Sequence, residues 1–209
     1  MGDRLSGGNV AIALLANTMA TGAALVALIL TFGPISGAHF NPVVSFADAS
    51  RGGLTWLQAC GYTIAQTGGA VVGVGAAHQM FGEPIYAWSR HARNGSPQAF
   101  SEGIATFGLL AVIWGCSRHR STVVPFAVGA YIMAAYWFTA STSFANPAAT
   151  LARALTDTFA GIRPADVPAF IGAQIVGGAA ATALFSWLVP ALPAPAAEVV
   201  ERRGSTGPS

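Results

Sequence analysis

Two stretches decide how this chain folds: residues 36–50, SGAHFNPVVSFADAS, and residues 141–155, STSFANPAATLARAL. Each sets an Asn-Pro pair, Asn41-Pro42 and Asn146-Pro147, into small apolar sequence, and the two pairs lie 105 residues apart. Asn is among the best helix N-caps and Pro is favoured at the first helical position, so each stretch predicts a helix that starts at its Asn. Roughly ten residues of helix follow each pair, about half of the length needed to cross a bilayer. Both therefore predict re-entrant half-helices, and irregular backbone at membrane depth is tolerated only where it is buried in protein or lines a wet cavity.

A lone Asn-Pro pair marks no more than a turn. Here the surroundings repeat as well: Gln66 follows Asn41 by 25 residues within IAQTGGAVVG, and Gln174 follows Asn146 by 28 residues within GAQIVGGAAA. Span, short Asn-Pro helix, span with Gln and glycines is a unit written twice.

Composition requires a membrane setting. Residues are 53% hydrophobic and 9% charged, with a mean hydropathy of +0.55, far from the roughly 25% charge of a soluble domain. Charge-free stretches cover residues 5–47, 52–82, 121–152 and 167–197. Spans are expected at 10–32, about 54–79, about 100–116, about 122–139 and 167–188, giving an all-α, multi-span bundle. Three of these spans separate the two Asn-Pro helices, and an odd number turns the second unit upside down in the membrane. The run after Arg4 is too long for the apolar region of a signal peptide and is expected to remain as a span.

Charge places few further limits. A net charge of +2 leaves no footprint for nucleic acid, and neither such a partner nor a cofactor is implied. The arginines divide five against five across the proposed topology, so they do not set the orientation. Cys60 and Cys116 lie in apolar segments without metal spacing and are expected as small core residues. His78, His91 and His119 fall near span ends and are expected at the interface. Gly69 and Gly73, and Ala173 and Gly177, have the spacing for close helix packing. The Pro- and Ala-rich tail, 191–209, is expected to be disordered.

SGAHFNP and SFANPA, with the repeated Gln-containing spans, resemble the aquaporin and aquaglyceroporin channels of the major intrinsic protein family over about residues 5–188. The resemblance implies a pore motif of Asn41, Pro42, Val43 and Asn146, Pro147, Ala148, with the asparagine amides offered to the permeant. It implies carbonyl acceptors on Gly37, Ala38 and His39, and on Ser143, Phe144 and Ala145, and a homotetramer in the cell (inner or plasma) membrane with one pore per subunit. Glu102, expensive inside a bilayer, would brace a re-entrant loop by accepting its N–H groups.

Two departures from the family pattern bear on selectivity. Water channels carry an Arg three residues after the second Asn, where this chain has Ala149. The matching filter is Thr21, Tyr136 (with Ala134 as the alternative), Ser143 and Ala149, wider and uncharged. Arg153 has Asp157 four residues on, so a local ion pair is its simplest reading and a substitute filter residue the alternative. The stretch TSFANPAATLARALTDTFAGIRPADVPAF resembles a bacterial subgroup associated with arsenic resistance, which implies passage of neutral metalloid hydroxides such as arsenite.

The first repeat, 1–98, is one span shorter than the second, 99–190, so MGDRLSGGN reads as the connection after a missing first span, with Met1 either a misassigned start or a true truncation. The sequence thus predicts a passive, non-enzymatic channel for small neutral solutes, glycerol and arsenite foremost and water also considered. The alternatives are a non-conducting truncated fragment and a secondary transporter; the latter needs intramembrane ionisable residues, of which Glu102 is nearly the only one.

Overall fold

The computed structural model describes residues 1–117 and 121–188. Arg118, His119 and Arg120, and the tail from residue 189 onward, lie outside the described residues. A short helix, α1 (Gly2–Leu5), precedes α2 (Val10–Ser36), the half-helix α3 (Pro42–Ser50) and α4 (Trp56–Phe81). The second set is α5 (Ser96–Ser117), α6 (Val124–Phe138), the half-helix α7 (Pro147–Arg153) and α8 (Val167–Leu188). The fold is an all-α membrane bundle, an inverted repeat around two re-entrant half-helices.

Local chemistry sets the ends of these helices. Asn9 starts α2 by accepting from Ala11 N and Ile12 N at 3.0 and 3.2 Å, and Gly37, at φ 74°, ends it in a left-handed turn that an L side chain resists. Thr55 and Gln58 form a reciprocal capping box at the start of α4. Asn41 and Asn146 cap α3 and α7 as expected, each followed by Pro at the first helical position. At about 1.5 Å per residue, the nine residues of α3 and seven of α7 reach only part of the way through a hydrocarbon core of about 30 Å.

Among the described residues four helices are long and apolar enough to cross a membrane: Val10–Ser36, Ser96–Ser117, Ser121–Phe138 and Pro164–Leu188, the last two counted with the 3-10 turns that lead into α6 and α8. The fifth expected span, α4, has the length, 26 residues, but its Gln, Gly, Thr and His content lowers its hydropathy. Large apolar side chains such as Leu28, Ile64, Val72, Ile175 and Trp187 point outward, which suits lipid rather than water. The half-helices are the inside of the molecule: Val43, Val44 and Ala47 pack with Leu109, Leu110, Val128, Ile132 and Ala181.

Backbones approach closely where glycines cross. On α5 and α8, a Cβ added to Gly177 would lie 2.1 Å from Gly103 O, using the Ala173/Gly177 pair as expected. On α2 and α6, a Cβ on Gly129 would lie 2.9 Å from Gly22 O. Gly69 and Gly73 depart from the expectation, because nothing described lies within 4 Å of a Cβ on either. In the repeat Gly69 matches Gly177, but among the described residues no helix packs on α4 as α5 packs on α8.

Two further expectations are corrected. Cys60 is exposed on α4 rather than a core residue, because its face of that helix meets no neighbour. His78 is buried, its Nδ1 2.5 Å from Pro84 O and its Nε2 2.7 Å from Thr156 Oγ1, because the chain after α7 folds back over the end of α4.

Candidate functional site

The two capping asparagines meet through a reciprocal exchange. Asn41 Nδ2 donates to Ala145 O at 2.6 Å, and Asn146 Nδ2 donates to Phe40 O at 2.7 Å. Their Oδ1 atoms are taken by their own helices: Val43 N at 3.0 Å for Asn41, Ala148 N and Ala149 N at 3.0 and 3.2 Å for Asn146. A primary amide has two N–H donors, so each Asn commits one to the opposite loop and keeps one.

The loops that present these asparagines are strained in the same places. Ala38 and Phe40, three and one residues before Asn41, have φ of 48° and 49°, and Ser143 and Ala145, at the same offsets from Asn146, have 49° and 48°. Left-handed backbone costs about 1–2 kcal/mol for a non-glycine residue, so something must hold it. In the second loop it is held by Glu102, fully buried, which accepts from Phe144 N at 2.8 Å and Ala145 N at 2.7 Å. Gln174 Nε2 donates to Glu102 at 2.6 Å and to Thr150 Oγ1 at 2.9 Å. The first loop has the matching Gln66 Nε2 bond to Ser45 Oγ at 3.0 Å, but the N–H groups of His39 and Phe40 have no such carboxylate among the described residues.

A cavity of about 370 Å³ runs past both asparagines. Along its wall α2 contributes Thr21, Leu25 and Ile29 while α6 contributes Tyr136, Ile132, Val128 and Val124 in the opposite direction. Thr21 and Tyr136 thus share one end, and Ser117 and Asp48 lie toward the other. Between them the wall is residues 37–41 and 143–146. Gly37, Ala38, His39, Asn41, Phe144, Ala145 and Asn146 all reach this cavity, as do Thr21, Tyr136, Ser143 and Ala149. Pro42, Val43, Pro147 and Ala148 do not; Val43 faces Gly178 of α8, away from the asparagine amides. Ala134 is exposed and off the cavity wall, leaving Tyr136 as the α6 residue at this end. The Ser143 hydroxyl is buried without a partner among the described residues, so Ser143 lines the wall without a free hydroxyl in the opening.

The end at Thr21 is not uncharged. Arg153 Nη2 donates to the Tyr136 hydroxyl at 3.1 Å, Tyr136 lies 3.4 Å from Thr21 Oγ1, and the guanidinium sits 4.2 Å from the centre of the Phe144 ring. The expected ion pair with Asp157 is absent because α7 ends at Arg153, so Asp157 never occupies the next helical turn. The Asp157 carboxylate instead takes Arg90 N at 2.8 Å and Arg90 Nε at 2.7 Å.

Arg93 is the residue that sequence reasoning missed. Only 7% exposed, it donates to Gly161 O at 2.7 Å, Ser141 O at 2.9 Å, Thr142 Oγ1 at 3.3 Å and Phe159 O at 3.3 Å, tying the approach to Asn146 to the chain beyond α7. Burial, and then the charge of Arg153, lower its pKa to about 10, against a partial offset from Glu102. A lone Arg in a polar connection carried no signal for this role.

Span-length helices enclosing two half-helices, whose capping asparagines exchange hydrogen bonds beside a continuous cavity, define a membrane channel of the aquaporin type. The chain belongs to the major intrinsic protein family: the family's profile, described as Major intrinsic protein, matches residues 4–143. It is 52% identical to Aquaglyceroporin AqpS of Rhizobium meliloti (strain 1021) over 194 residues, covering 92% of this chain and 83% of that protein. It is also similar to Aquaporin NIP1-1 of Zea mays, 35% identical over 54% of this chain and 42% of that protein. Nodulin-26 of Glycine max is 37% identical over 51% of this chain and 40% of its own length. The chain spans less than half of either plant relative.

Proposed function

We propose that the chain is a passive pore for small neutral solutes of the aquaglyceroporin kind, carrying glycerol and metalloid hydroxides such as arsenite, with water passing too. The observation that carries this reading is the cavity past both asparagines, whose filter end has Thr21 where water channels carry an aromatic and a methyl group at Ala149. The similarity to a protein named an aquaglyceroporin supports the same solute class.

The chemistry follows from the wall. The uncommitted N–H of Asn41 and of Asn146 donates to a solute hydroxyl, while the carbonyls of Gly37, Ala38 and His39 and of Ser143, Phe144 and Ala145 accept from it, replacing its hydration. The positive ends of α3 and α7 disfavour cations at the same level. Pro42, Val43, Pro147 and Ala148 hold the half-helices in register, and Glu102 fixes the second loop. The two halves, 1–98 and 99–190, act as one inverted pair, set in the cell membrane as a homotetramer with a pore in each subunit.

Stopped-flow light scattering on proteoliposomes tests the reading. Flux of glycerol and arsenite should exceed that of empty vesicles, rise linearly with solute concentration and need no ion gradient. Saturating, gradient-dependent flux would place the chain among transporters, and flux equal to that of empty vesicles from a folded protein would overturn the channel reading.

A further inference from the structure

We infer that Arg153 is a specificity-determining residue of this pore, supplying from the last position of α7 the guanidinium that Ala149 lacks. The inference rests on the channel reading and concerns which solutes the channel rejects.

Three observations converge on Arg153. It lies on the cavity wall with Ala149, one helical turn nearer the C-terminal end of α7, and its hydrogen bond to Tyr136 and its stacking on Phe144 fix the guanidinium there. It is also the residue that lines both this cavity and a second hollow of about 490 Å³, whose wall includes Asn17, Ala20, Thr156 and Phe159 and, farther out, Asp3 and Glu83, so the guanidinium stands on the wall that borders both spaces. Among the described residues no carboxylate pairs with Arg153, since Asp157 is taken by Arg90.

These facts specify a function. An unpaired guanidinium on the wall of a pore repels cations, and its N–H groups offer donors to solute oxygens. Tyr136 takes one donor; the remaining nitrogens have no partner among the described residues and are not sealed in protein. Arg93, on the same Phe144 ring at 4.8 Å, adds a second positive charge behind the first. With its base four residues beyond Ala149, Arg153 leaves the space beside Ala149 open while keeping the charge at the mouth. The pore is thereby wide for polyols and metalloid hydroxides yet closed to cations.

The test measures potassium leak under a diffusion potential and glycerol flux in the same proteoliposomes, at equal incorporation. Arg153→Leu should raise potassium permeability about tenfold relative to glycerol, whereas Arg153→Lys, which keeps the charge, should stay cation-tight. Should Arg153→Leu fail to insert, Arg153→Gln replaces it with the same expectation. An unchanged leak in the neutral variant, or an equal rise in Arg153→Lys, would overturn the proposal, the second because it would assign the effect to packing. If the wild type conducts neither solute, the channel reading fails by itself, and labelling decides about Arg153. Arg153→Cys, combined with Cys60→Ala and Cys116→Ala, should react with a membrane-impermeant thiol reagent, and a protected thiol would place Arg153 outside any aqueous path.

Discussion

Glu102 on α5 accepts the side-chain amide of Gln174 on α8 at 2.6 Å, with both side chains fully buried. The same carboxylate holds the two N–H groups that precede Asn146, so one residue joins the α5–α8 packing to the pore loop. Glu102→Gln turns one acceptor oxygen into an NH2 group that must face an N–H donor. Losing a buried bond to a carboxylate costs about 2 kcal/mol. The variant should therefore melt earlier in detergent and conduct glycerol more slowly, by thermal unfolding and stopped-flow flux. An unchanged melting midpoint would remove Glu102 from its bracing role.

Asn41→Asp and Asn146→Asp should each cut neutral-solute flux. The substitution sets a carboxylate oxygen against Ala145 O or Phe40 O in place of a donor, and it deletes the N–H left for the solute. Equal membrane incorporation with wild-type glycerol flux in both variants would sink the central role of the pair.

The repeated Asn-Pro unit made the two half-helices legible, because capping preference acts locally and the structure starts α3 and α7 at Pro42 and Pro147. Long apolar runs likewise carried the bundle. Contacts set by chain path were hidden. The i+4 spacing of Arg153 and Asp157 suggested a pair only on the premise that the helix continued, and it stops at Arg153. His78 looked interfacial since nothing in its neighbourhood reveals that Thr156, 78 residues away, folds over it. Arg93 was hidden for the same reason, its partners lying 48 to 68 residues distant.

Glycine crossings should show as an asymmetry in stability. Gly177→Ala drives a methyl into the backbone carbonyl of Gly103, at 2.1 Å, and overpacking of this kind costs about 1–3 kcal/mol. Gly172→Ala on the same helix meets nothing within 4 Å and should leave the melting midpoint level or slightly higher. Equal midpoints for the two variants would contradict the close α5–α8 approach.

Acid should loosen the connection that follows α4. Hydrogen bonds from Arg90 N and then Arg90 Nε hold the Asp157 carboxyl below the usual carboxylate range, with a smaller opposing effect of burial. A depressed folded pKa contributes stability that is full above the unfolded value of about 3.9 and is lost as pH falls through the lower folded one. Protection of the amides around Arg90, measured against intrinsic exchange at each pH, should therefore be constant from neutral pH down to about that unfolded value and fall only below it. In Asp157→Asn that acid-dependent loss of protection should vanish; its persistence would reassign the transition to another carboxylate.

Ala149→Arg tests the width of the opening. The new side chain would start on the cavity wall one turn before Arg153, placing two guanidiniums at i and i+4, a like-charge arrangement that destabilises a helix by about 0.2–0.5 kcal/mol. That penalty is small enough for the protein to insert, so the effect should appear in transport. Glycerol and arsenite need the space that the added side chain fills, whereas water can pass a narrower gap, so the glycerol-to-water flux ratio should fall about tenfold or more. Combining Ala149→Arg with Arg153→Leu relieves the repulsion and should recover stability without recovering glycerol flux, because the obstruction stays. Stopped-flow water, glycerol and arsenite measurements on the single and double variants decide the matter. Unchanged glycerol and arsenite flux in Ala149→Arg would show that Ala149 does not border the constriction, and a parallel loss of all three fluxes would show that the opening is already as narrow as a water channel's.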